Sequence, residues 1–298
     1  MIATTPSFDT FFQGQAREYL LRAIDLALVE DGQDLTSLGL FPPYERLDAR
    51  VVAKEDTLVV GLPLIALVLE RCAELFPEYG AVADCETILR APEASRVQRY
   101  TEVAAMFGPA ALLLKAERVA LNFIAHLSGV ANLTARYVAA LEGAKTKLLD
   151  TRKTLPGLRY PEKYAVRCGG GMNHRLDLAA MLMLKDNHID RAGSITAAVT
   201  LLRAAYADCP AIEVECRTLD DVREAVACTV ERIMLDNMSA ATILEALTFV
   251  PESIETEISG SVSLDTLPAL GRLGADFISV GRITHSAPAA DFSMLISR

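Results

Sequence analysis

The sequence predicts an α/β protein in which a small α+β unit precedes an α/β barrel. Two observations predict the barrel. After Gly143, short apolar segments alternate with helical segments every 20–35 residues or so, roughly the length of one βαβ unit. Nearly all of these apolar segments end in a polar residue or a glycine, as barrel strands do at the face where the ligand binds. Six such strands favour a barrel over an open sheet, although full closure of a (β/α) barrel requires about eight.

The first 110 residues are expected to form the α+β unit. Residues 8–29 carry one apolar stripe at helical spacing, and a second helix is expected from Pro63 to about Phe76, since proline is favoured at a helix start. The segments with strand-like alternation are 49–54, 57–60, 82–89 and 98–107.

A long helix is predicted over residues 109–141, with one weak point at Ser128-Gly129. Arg118 reads as an exposed helix residue or as half of an ion pair. His126 stands alone on an apolar face, where a hydrogen-bonded core histidine is the better interpretation than a ligand.

The second half of the chain supplies the six barrel strands. They are predicted at 146–149, 181–184, 212–214, 232–235, 254–258 and 277–280. The helices between them begin after residues that can cap, namely Ser194, Thr218 with Asp221, Ser239 and Ser263.

Composition excludes several classes of protein. With 298 residues, of which 51% are hydrophobic, the chain can bury a full core in one large or two moderate domains. A net charge of -10 and no tryptophan argue against a nucleic-acid partner. The six cysteines show no CxxC spacing, so neither a zinc site nor a disulfide framework is expected. Without a signal peptide or a long apolar run, we expect a cytoplasmic protein with no membrane contact.

Positive charge is concentrated between Asp150 and Asp190, in a chain that is acidic overall. Arginine forks bind carboxylate or phosphate bidentately, and lysine supplies a point charge. A solvated basic face is the common explanation for a charge run, but here the charges adjoin buried apolar segments. We therefore expect a pocket for a ligand with several negative charges. The glycine run 169–171 matches neither a Walker loop nor a dinucleotide fingerprint.

The residues at the predicted strand ends divide this pocket into three zones. Glu215 and Asp236 form an acidic pair suited to sugar hydroxyls or Mg²⁺. The loops 258–261 and 279–282 are small and glycine-bearing, and the last two loops of a barrel commonly bind phosphate. The cationic zone suits carboxylates or pyrophosphate and comprises Arg152, Lys153, His174, Arg175 and Lys185. A phosphorylated sugar with a pyrophosphate group, together with an acidic acceptor, would fill all three zones.

At DTRKTLPGLRYPEKYAVRCGGGMNHR (150–175) and LKDNH (184–188), the sequence resembles the quinolinate phosphoribosyltransferase family. The resemblance extends over almost the whole chain, through AERVALNF, IEVECRTLDD, IMLDN, ISGS and ISVGRITHSAPAADFS. It implies a type II phosphoribosyltransferase fold with an N-terminal α/β sandwich domain at residues 1–119 and an open, about seven-stranded α/β barrel at 120–287. The tail, 288–298, would pack on the sandwich domain.

The resemblance also implies an activity. Quinolinate and phosphoribosyl pyrophosphate would give nicotinate mononucleotide, pyrophosphate and CO₂ with Mg²⁺, as a step of NAD biosynthesis. The resemblance further implies a homo-oligomer, with a dimer expected and a hexamer as the alternative.

The residues that carry these roles follow from the matched motifs. The resemblance assigns catalysis to Lys153, Lys185, Glu215 and Asp236. It assigns quinolinate and pyrophosphate binding to Thr151, Arg152, Lys153, His174, Arg175 and Lys185. Arg118 would reach the site of the neighbouring subunit, and Glu215 and Asp236 would face the ribose and the metal. The 5′-phosphate would be held by Ser259, Gly260, Ser261, Val280, Gly281 and Arg282. Ser261 and Arg282 depart from the family pattern, in which glycine and alanine are expected.

Three alternatives remain at this point. A paralogue of the same fold, such as the pyrophosphorylase-like protein of molybdenum transport operons, would act on another anion. A nicotinate phosphoribosyltransferase without decarboxylation needs fewer cations than this pocket offers. A barrel that only binds a phosphorylated ligand would have no use for the acidic pair beside the cationic zone.

Overall fold

A computed structural model describes residues 6–296. The described chain divides into two compact units. The first unit comprises residues 6–134, 154–170 and 283–296, and the second comprises residues 135–153 and 171–282. No helix within residues 6–296 is long and apolar enough to cross a membrane.

The strands are β1 (Arg46–Ala53), β2 (Thr57–Val59), β3 (Glu86–Leu89), β4 (Ser95–Val97), β5 (Glu102–Pro109), β6 (Lys147–Leu149), β7 (Leu182–Leu184), β8 (Ile212–Cys216), β9 (Arg232–Asp236), β10 (Glu255–Ser259), β11 (Phe277–Ser279) and β12 (Phe292–Ile296). The helices are α1 (Phe8–Phe11), α2 (Gly14–Glu30), α3 (Leu35–Leu40), α4 (Leu64–Leu75), α5 (Ala110–Ala140), α6 (Arg159–Cys168), α7 (Asp186–Ala192), α8 (Ile195–Ala205), α9 (Leu219–Ala227), α10 (Ala240–Leu247), α11 (Leu267–Gly271) and α12 (Arg282–His285). Single 3₁₀ turns occur at Pro77–Tyr79 and Val82–Asp84.

The first unit is built on an antiparallel sheet in the order β12-β1-β5-β3, with a separate β2-β4 pair. Strand β12 pairs with β1 from Ala53↔Phe292 to Ala49↔Ile296. Helix α2 buries Leu20, Ile24 and Leu28, which stand four residues apart on one face. The predicted helix at 8–29 is divided into α1 and α2 at Phe12 and Gln13, whose backbone angles are not helical.

Helix α5 is continuous for 31 residues and contains no break at the predicted weak point. Ser128 Oγ accepts a hydrogen bond from Val60 N at 2.9 Å. A Cβ added to Gly129 would lie 2.1 Å from the Pro288 carbonyl oxygen, so the glycine allows two backbone segments of the first unit to approach closely. The domain boundary predicted at 119/120 falls inside α5, whereas the compact units divide at 134/135.

The second unit carries a parallel six-stranded sheet in the order β6-β11-β10-β9-β8-β7. All six strands predicted from the sequence are present. A single parallel bridge, Leu149↔Met172, places the segment around Met172 beside β6. No ladder within residues 6–296 joins that segment to β7. The sheet is therefore open, with six strands and the start of a seventh.

A contact across the sheet shows that it is strongly curved. In a flat sheet, Met172 and β8 would be separated by five strand spacings of about 4.8 Å, or roughly 24 Å. His174, two residues after Met172, nevertheless has its Nε2 atom 3.0 Å from Glu213 Oε2 on β8. The sheet must curl around an interior, as in a barrel.

The helix starts follow the predicted caps at three of four places. Ser194, Thr218 and Ser239 accept hydrogen bonds from the first turns of α8, α9 and α10, and Thr218 forms a capping box with Asp221. Ser263 is different, because α11 begins four residues later, after Thr266. Its hydroxyl accepts instead from Thr266 N at 3.3 Å, within the turn that precedes the helix.

Candidate active site

The carboxyl ends of the parallel strands surround one cavity of about 580 Å³. Side chains alternate along a strand, so each strand directs every second residue towards the interior. Eleven of the fifteen residues predicted to bind substrate line this cavity: Thr151, Arg152, Lys153, His174, Arg175, Lys185, Glu215, Asp236, Ser259, Gly260 and Ser261.

One wall of the cavity carries two guanidinium groups. Arg175 is held in place because its Nη1 donates to the Met181 carbonyl at 2.8 Å and its Nη2 contacts Met183 Sδ at 3.6 Å. Burial lowers the pKa of Arg175, and the positive charge of Arg152 lowers it further. The Nε atom of Arg152 is buried and has no hydrogen-bond partner among residues 6–296. An anionic group bound here would offset the repulsion between the two guanidinium charges and would accept a hydrogen bond from Arg152 Nε.

The acidic pair faces the same cavity with hard oxygen ligands. Glu215 Oε2 accepts from Lys185 Nζ at 2.7 Å, and Asp236 Oδ2 accepts from Asn237 Nδ2 at 2.7 Å. The second oxygen of each carboxylate accepts no hydrogen bond from the described residues, and such oxygens fit Mg²⁺. Two protein carboxylates completed by water and substrate oxygens are a usual Mg²⁺ arrangement, so the residues present fit this ion.

The segment Ser259–Ser261 forms a tight loop directly after β10. Gly260 has a φ of +93°, and a Cβ there would lie 2.2 Å from Asn237 Oδ1. Ser261 also lies in the left-handed region, with a φ of +50°. That conformation favours glycine, so serine at this position is mildly strained.

Beneath the cavity lies a buried cluster that the sequence did not reveal. Glu213 and Glu257 are fully buried, and their carboxylates lie 3.0 Å and 3.4 Å from His174 Nε2. Arg232 Nη1 lies 3.5 Å from Glu257 Oε2. The atoms of His174, Glu213 and Glu257 that could bind a metal ion lie within 4.8 Å of one another. The charges of Arg232 and a protonated His174, however, already balance the two carboxylates. We therefore interpret the cluster as an ion-pair network.

The network controls the ionisation of His174. Burial alone lowers the pKa of this imidazole, but hydrogen bonding and charge attraction from Glu213 and Glu257 outweigh it and raise the pKa to about 9. The Arg175 backbone N–H donates to Nδ1 at 2.7 Å when the ring is neutral. In the protonated ring Nδ1 carries its own proton, and this hydrogen bond is lost. His174 thus presents its nitrogens to protein groups, and the residue also lines the cavity.

Four predicted binding residues do not border the cavity. Arg282 is exposed at the start of α12, and Val280 and Gly281 precede it. Arg118 lies on α5 in the first unit, with a side chain that is 65% exposed and 4.0 Å from Glu117. Their binding roles stay predictions. His126, by contrast, lies 2.8 Å from Glu162 in the same unit, as expected of a hydrogen-bonded core histidine.

The cavity also contains residues that the reading of strand ends missed: Met183, Met234, Asn237, Glu257 and Ser279. Four of these five stand two positions before a strand-end residue, and Glu213 in the cluster below stands two positions before Glu215. The period of two in a strand is the signal that would have found them. Asn237 is the exception, since it directly follows Asp236.

Comparison with known proteins identifies this arrangement. The model of the C-terminal domain of quinolinate phosphoribosyl transferase matches residues 130–295, and the model of the N-terminal domain matches residues 34–128. The chain belongs to the quinolinate phosphoribosyltransferase family. Solved structures similar to this chain include NadC from Streptococcus pyogenes, which is 36% identical with a TM-score of 0.87, and the match covers 96% of this chain and 99% of that one.

Curated relatives agree with this assignment. The probable nicotinate-nucleotide pyrophosphorylase (carboxylating) of Synechocystis is 45% identical over 88% of this chain and 85% of its own length. The protein of the same description from Bacillus subtilis is 40% identical over 88% of this chain and 87% of its own length. These relatives do not favour the molybdenum-operon alternative.

Proposed function

We propose that this protein transfers phosphoribose from phosphoribosyl pyrophosphate to quinolinate and releases pyrophosphate and CO₂, giving nicotinate mononucleotide for NAD synthesis. One observation carries the proposal. A single cavity brings the guanidinium wall, the acidic pair and the glycine-serine loop together, in a member of a family that is named for this reaction. The three zones match the pyridine dicarboxylate, the ribose with its pyrophosphate, and the 5′-phosphate.

The cationic side chains would bind and orient both substrates. Arg152 and Arg175 suit the quinolinate carboxylates, because a guanidinium fork binds a carboxylate bidentately. Lys153 and Lys185 are point charges suited to the departing pyrophosphate. Lys185 starts in an ion pair with Glu215, and pyrophosphate would compete with that carboxylate for the ammonium group.

The transfer step needs no nucleophilic side chain. The pyridine nitrogen attacks the anomeric carbon as pyrophosphate leaves, and Glu215 and Asp236 offset the positive charge that develops on the sugar. Glu215 and Asp236 would also hold Mg²⁺, which supplies positive charge for the pyrophosphate leaving group when it is bound. Catalysis is then mainly positioning and electrostatics.

Decarboxylation follows from the charge of the product ring. Once the nitrogen carries the ribose it is cationic, and the electron pair left at C2 when CO₂ departs is stabilised by that adjacent charge. The carbon then takes up a proton. A wall of fixed cations would hold the second carboxylate, which is retained in nicotinate mononucleotide.

Formation of nicotinate mononucleotide and CO₂ from carboxyl-labelled quinolinate, phosphoribosyl pyrophosphate and Mg²⁺ tests the proposal. Nicotinate should be a poor substrate by orders of magnitude, because a missing carboxylate leaves a charge unpaired at a cost of roughly 2–5 kcal/mol. Comparable turnover of nicotinate and quinolinate would contradict the assignment. Omission of Mg²⁺ should abolish the reaction.

We further propose a homodimer in the cytoplasm, in which Arg118 of one subunit acts in the site of the other. Arg118 is exposed on α5, whereas the cavity lies at the strand ends of the second unit. Arg118→Ala and Lys185→Ala should each be nearly inactive alone. In a purified mixed dimer carrying one of each, one site has both lesions and one has neither, so half of wild-type activity should return. A mixed dimer as inactive as its parents would place Arg118 in its own subunit or outside the site.

A further inference from the structure

Asn237 has an unusual backbone conformation at the edge of the cavity. It follows the last residue of β9 and has a φ of +54°. Left-handed backbone is uncommon for residues other than glycine, and asparagine is among the few that tolerate it. The bend changes the direction of the chain directly after Asp236, so the side chain of Asn237 borders the cavity beside its neighbour.

The contacts of Asn237 reach two zones of the site. Its Nδ2 donates to Asp236 Oδ2 at 2.7 Å, and its backbone N–H donates to the Ser259 carbonyl at 3.0 Å. Its Oδ1 occupies the space beside Gly260, where a Cβ would come within 2.2 Å of that oxygen and 2.5 Å of Cγ. Gly260 is thus required partly by the side chain of Asn237.

We propose that Asn237 is a positioning residue that joins the carboxylate of Asp236 to the Ser259–Ser261 loop. By holding Oδ2 of Asp236, the amide leaves Oδ1 as the oxygen that faces the ribose and the cation. By filling the space beside Gly260, the same side chain fixes the loop suited to the 5′-phosphate. Asn237 thereby sets the distance between the two protein groups, Asp236 and the loop, that would hold the two ends of the phosphoribosyl group.

This inference rests on the proposed function and predicts which substrate is affected. No hydrogen bond within residues 6–296 joins Asn237 to Arg152 or Arg175, so binding of the pyridine dicarboxylate should be spared. Loss of the amide should instead weaken the binding and turnover of phosphoribosyl pyrophosphate. A role in general stability would affect both substrates alike.

Two substitutions separate the backbone from the amide group. Asn237→Gly keeps the left-handed backbone but removes the hydrogen bond donor. Because a charge-assisted hydrogen bond is lost, kcat/KM for phosphoribosyl pyrophosphate should fall about tenfold or more. The KM for quinolinate should stay within about twofold, and Tm should be unchanged. Asn237→Asp also tolerates the backbone but places a carboxylate against Asp236, so it should be the worse variant. Equal activity of Asn237→Asp and wild type would overturn the proposal.

Thr229→Gly is the matched control. Thr229 also has left-handed backbone, with a φ of +49°, but lies before the amino end of β9, away from the cavity. This substitution should leave kinetics at the wild-type level. If Thr229→Gly and Asn237→Gly reduce activity alike, the effect arises from the backbone and the proposal is wrong.

A binding measurement distinguishes failure of this inference from failure of the proposed function. Calorimetric titration with phosphoribosyl pyrophosphate, without quinolinate, should show weaker binding for Asn237→Gly than for wild type. Gly260→Ala should lose binding as well, and less so when Asn237→Gly removes the side chain it meets. Absence of binding and turnover in the wild type would defeat the proposed function. Wild-type binding that survives unchanged in Asn237→Gly would defeat only the inference.

Discussion

Replacement of Arg175 by lysine isolates the value of a guanidinium fork in the cavity. The charge is kept, but one ammonium group must replace both the bond to the Met181 carbonyl at 2.8 Å and the bond to a substrate carboxylate. A hydrogen bond to a charged group contributes about 1.5–3 kcal/mol. At about 1.4 kcal/mol per tenfold, kcat/KM for quinolinate should fall roughly ten- to hundredfold.

The assay compares quinolinate with nicotinate for wild type and Arg175→Lys, with phosphoribosyl pyrophosphate at saturation. Because the lost bond is to a carboxylate, quinolinate should lose more than nicotinate, and the preference between them should shrink. KM for phosphoribosyl pyrophosphate should change little. Tm should fall only slightly, since the positive charge beside Arg152 remains.

Arg203→Lys is a suitable control. Arg203 also binds backbone carbonyls, those of Cys228 at 2.8 Å and Thr229 at 2.9 Å, but it lies on α8 and does not line the cavity. Its replacement should leave both substrates unaffected. Unchanged quinolinate kinetics in Arg175→Lys would refute the reasoning and make Arg175 a structural residue of the wall.

Four further substitutions test other parts of the site. Glu215→Gln and Asp236→Asn should each lower kcat more than they raise the KM for quinolinate, and a pure KM effect on quinolinate would reject their role at the sugar. The pKa of His174 is raised from 6.5 to about 9, so its contribution to stability is complete below about pH 6.5 and is lost as the pH rises through 9. Denaturant unfolding from about pH 6 to about pH 10 should therefore cost wild type up to about 3 kcal/mol more than His174→Gln, and parallel curves would contradict this. Ser261→Gly relieves left-handed strain and should raise stability by up to about 1 kcal/mol with activity retained, whereas lost activity would assign a function to the hydroxyl.

The barrel was predictable from sequence because buried parallel strands read as short apolar runs. All six strands of the second unit were found in this way. The first unit was harder to predict, because the structural role of a glycine there depends on residues that are distant in the sequence. Gly129 looked like a weak point in a helix, but it accommodates the Pro288 carbonyl, which lies far along the chain. No local pattern contains that contact.

From the sequence, the site could be predicted only at the residue that ends each strand. Polar strand ends stand out after apolar segments, and eleven of them or their neighbours do share one cavity. Glu213 and Glu257 did not stand out, because a polar residue at alternate strand positions ordinarily faces water. Only the curvature of the sheet converts that face into a buried interior. His174 lines the cavity as predicted, and its Nε2 lies 3.0 Å and 3.4 Å from these two carboxylates. Its role in binding the ligand stays a prediction.

The buried charges beneath the cavity are best understood through the segment they hold. A buried ion pair is weak evidence for net stability, because desolvation offsets much of its attraction. This network nevertheless fixes His174 from below, while Asp150 accepts from the His174 backbone nitrogen at 2.8 Å. The segment is thus held at its ring and at its main chain, and the next residue is Arg175. A guanidinium that must meet a substrate carboxylate to within a fraction of an ångström needs such a support. Burial of Glu213 and Glu257 costs free energy of folding. In return, the ion-pair network fixes the position of Arg175 in the cavity.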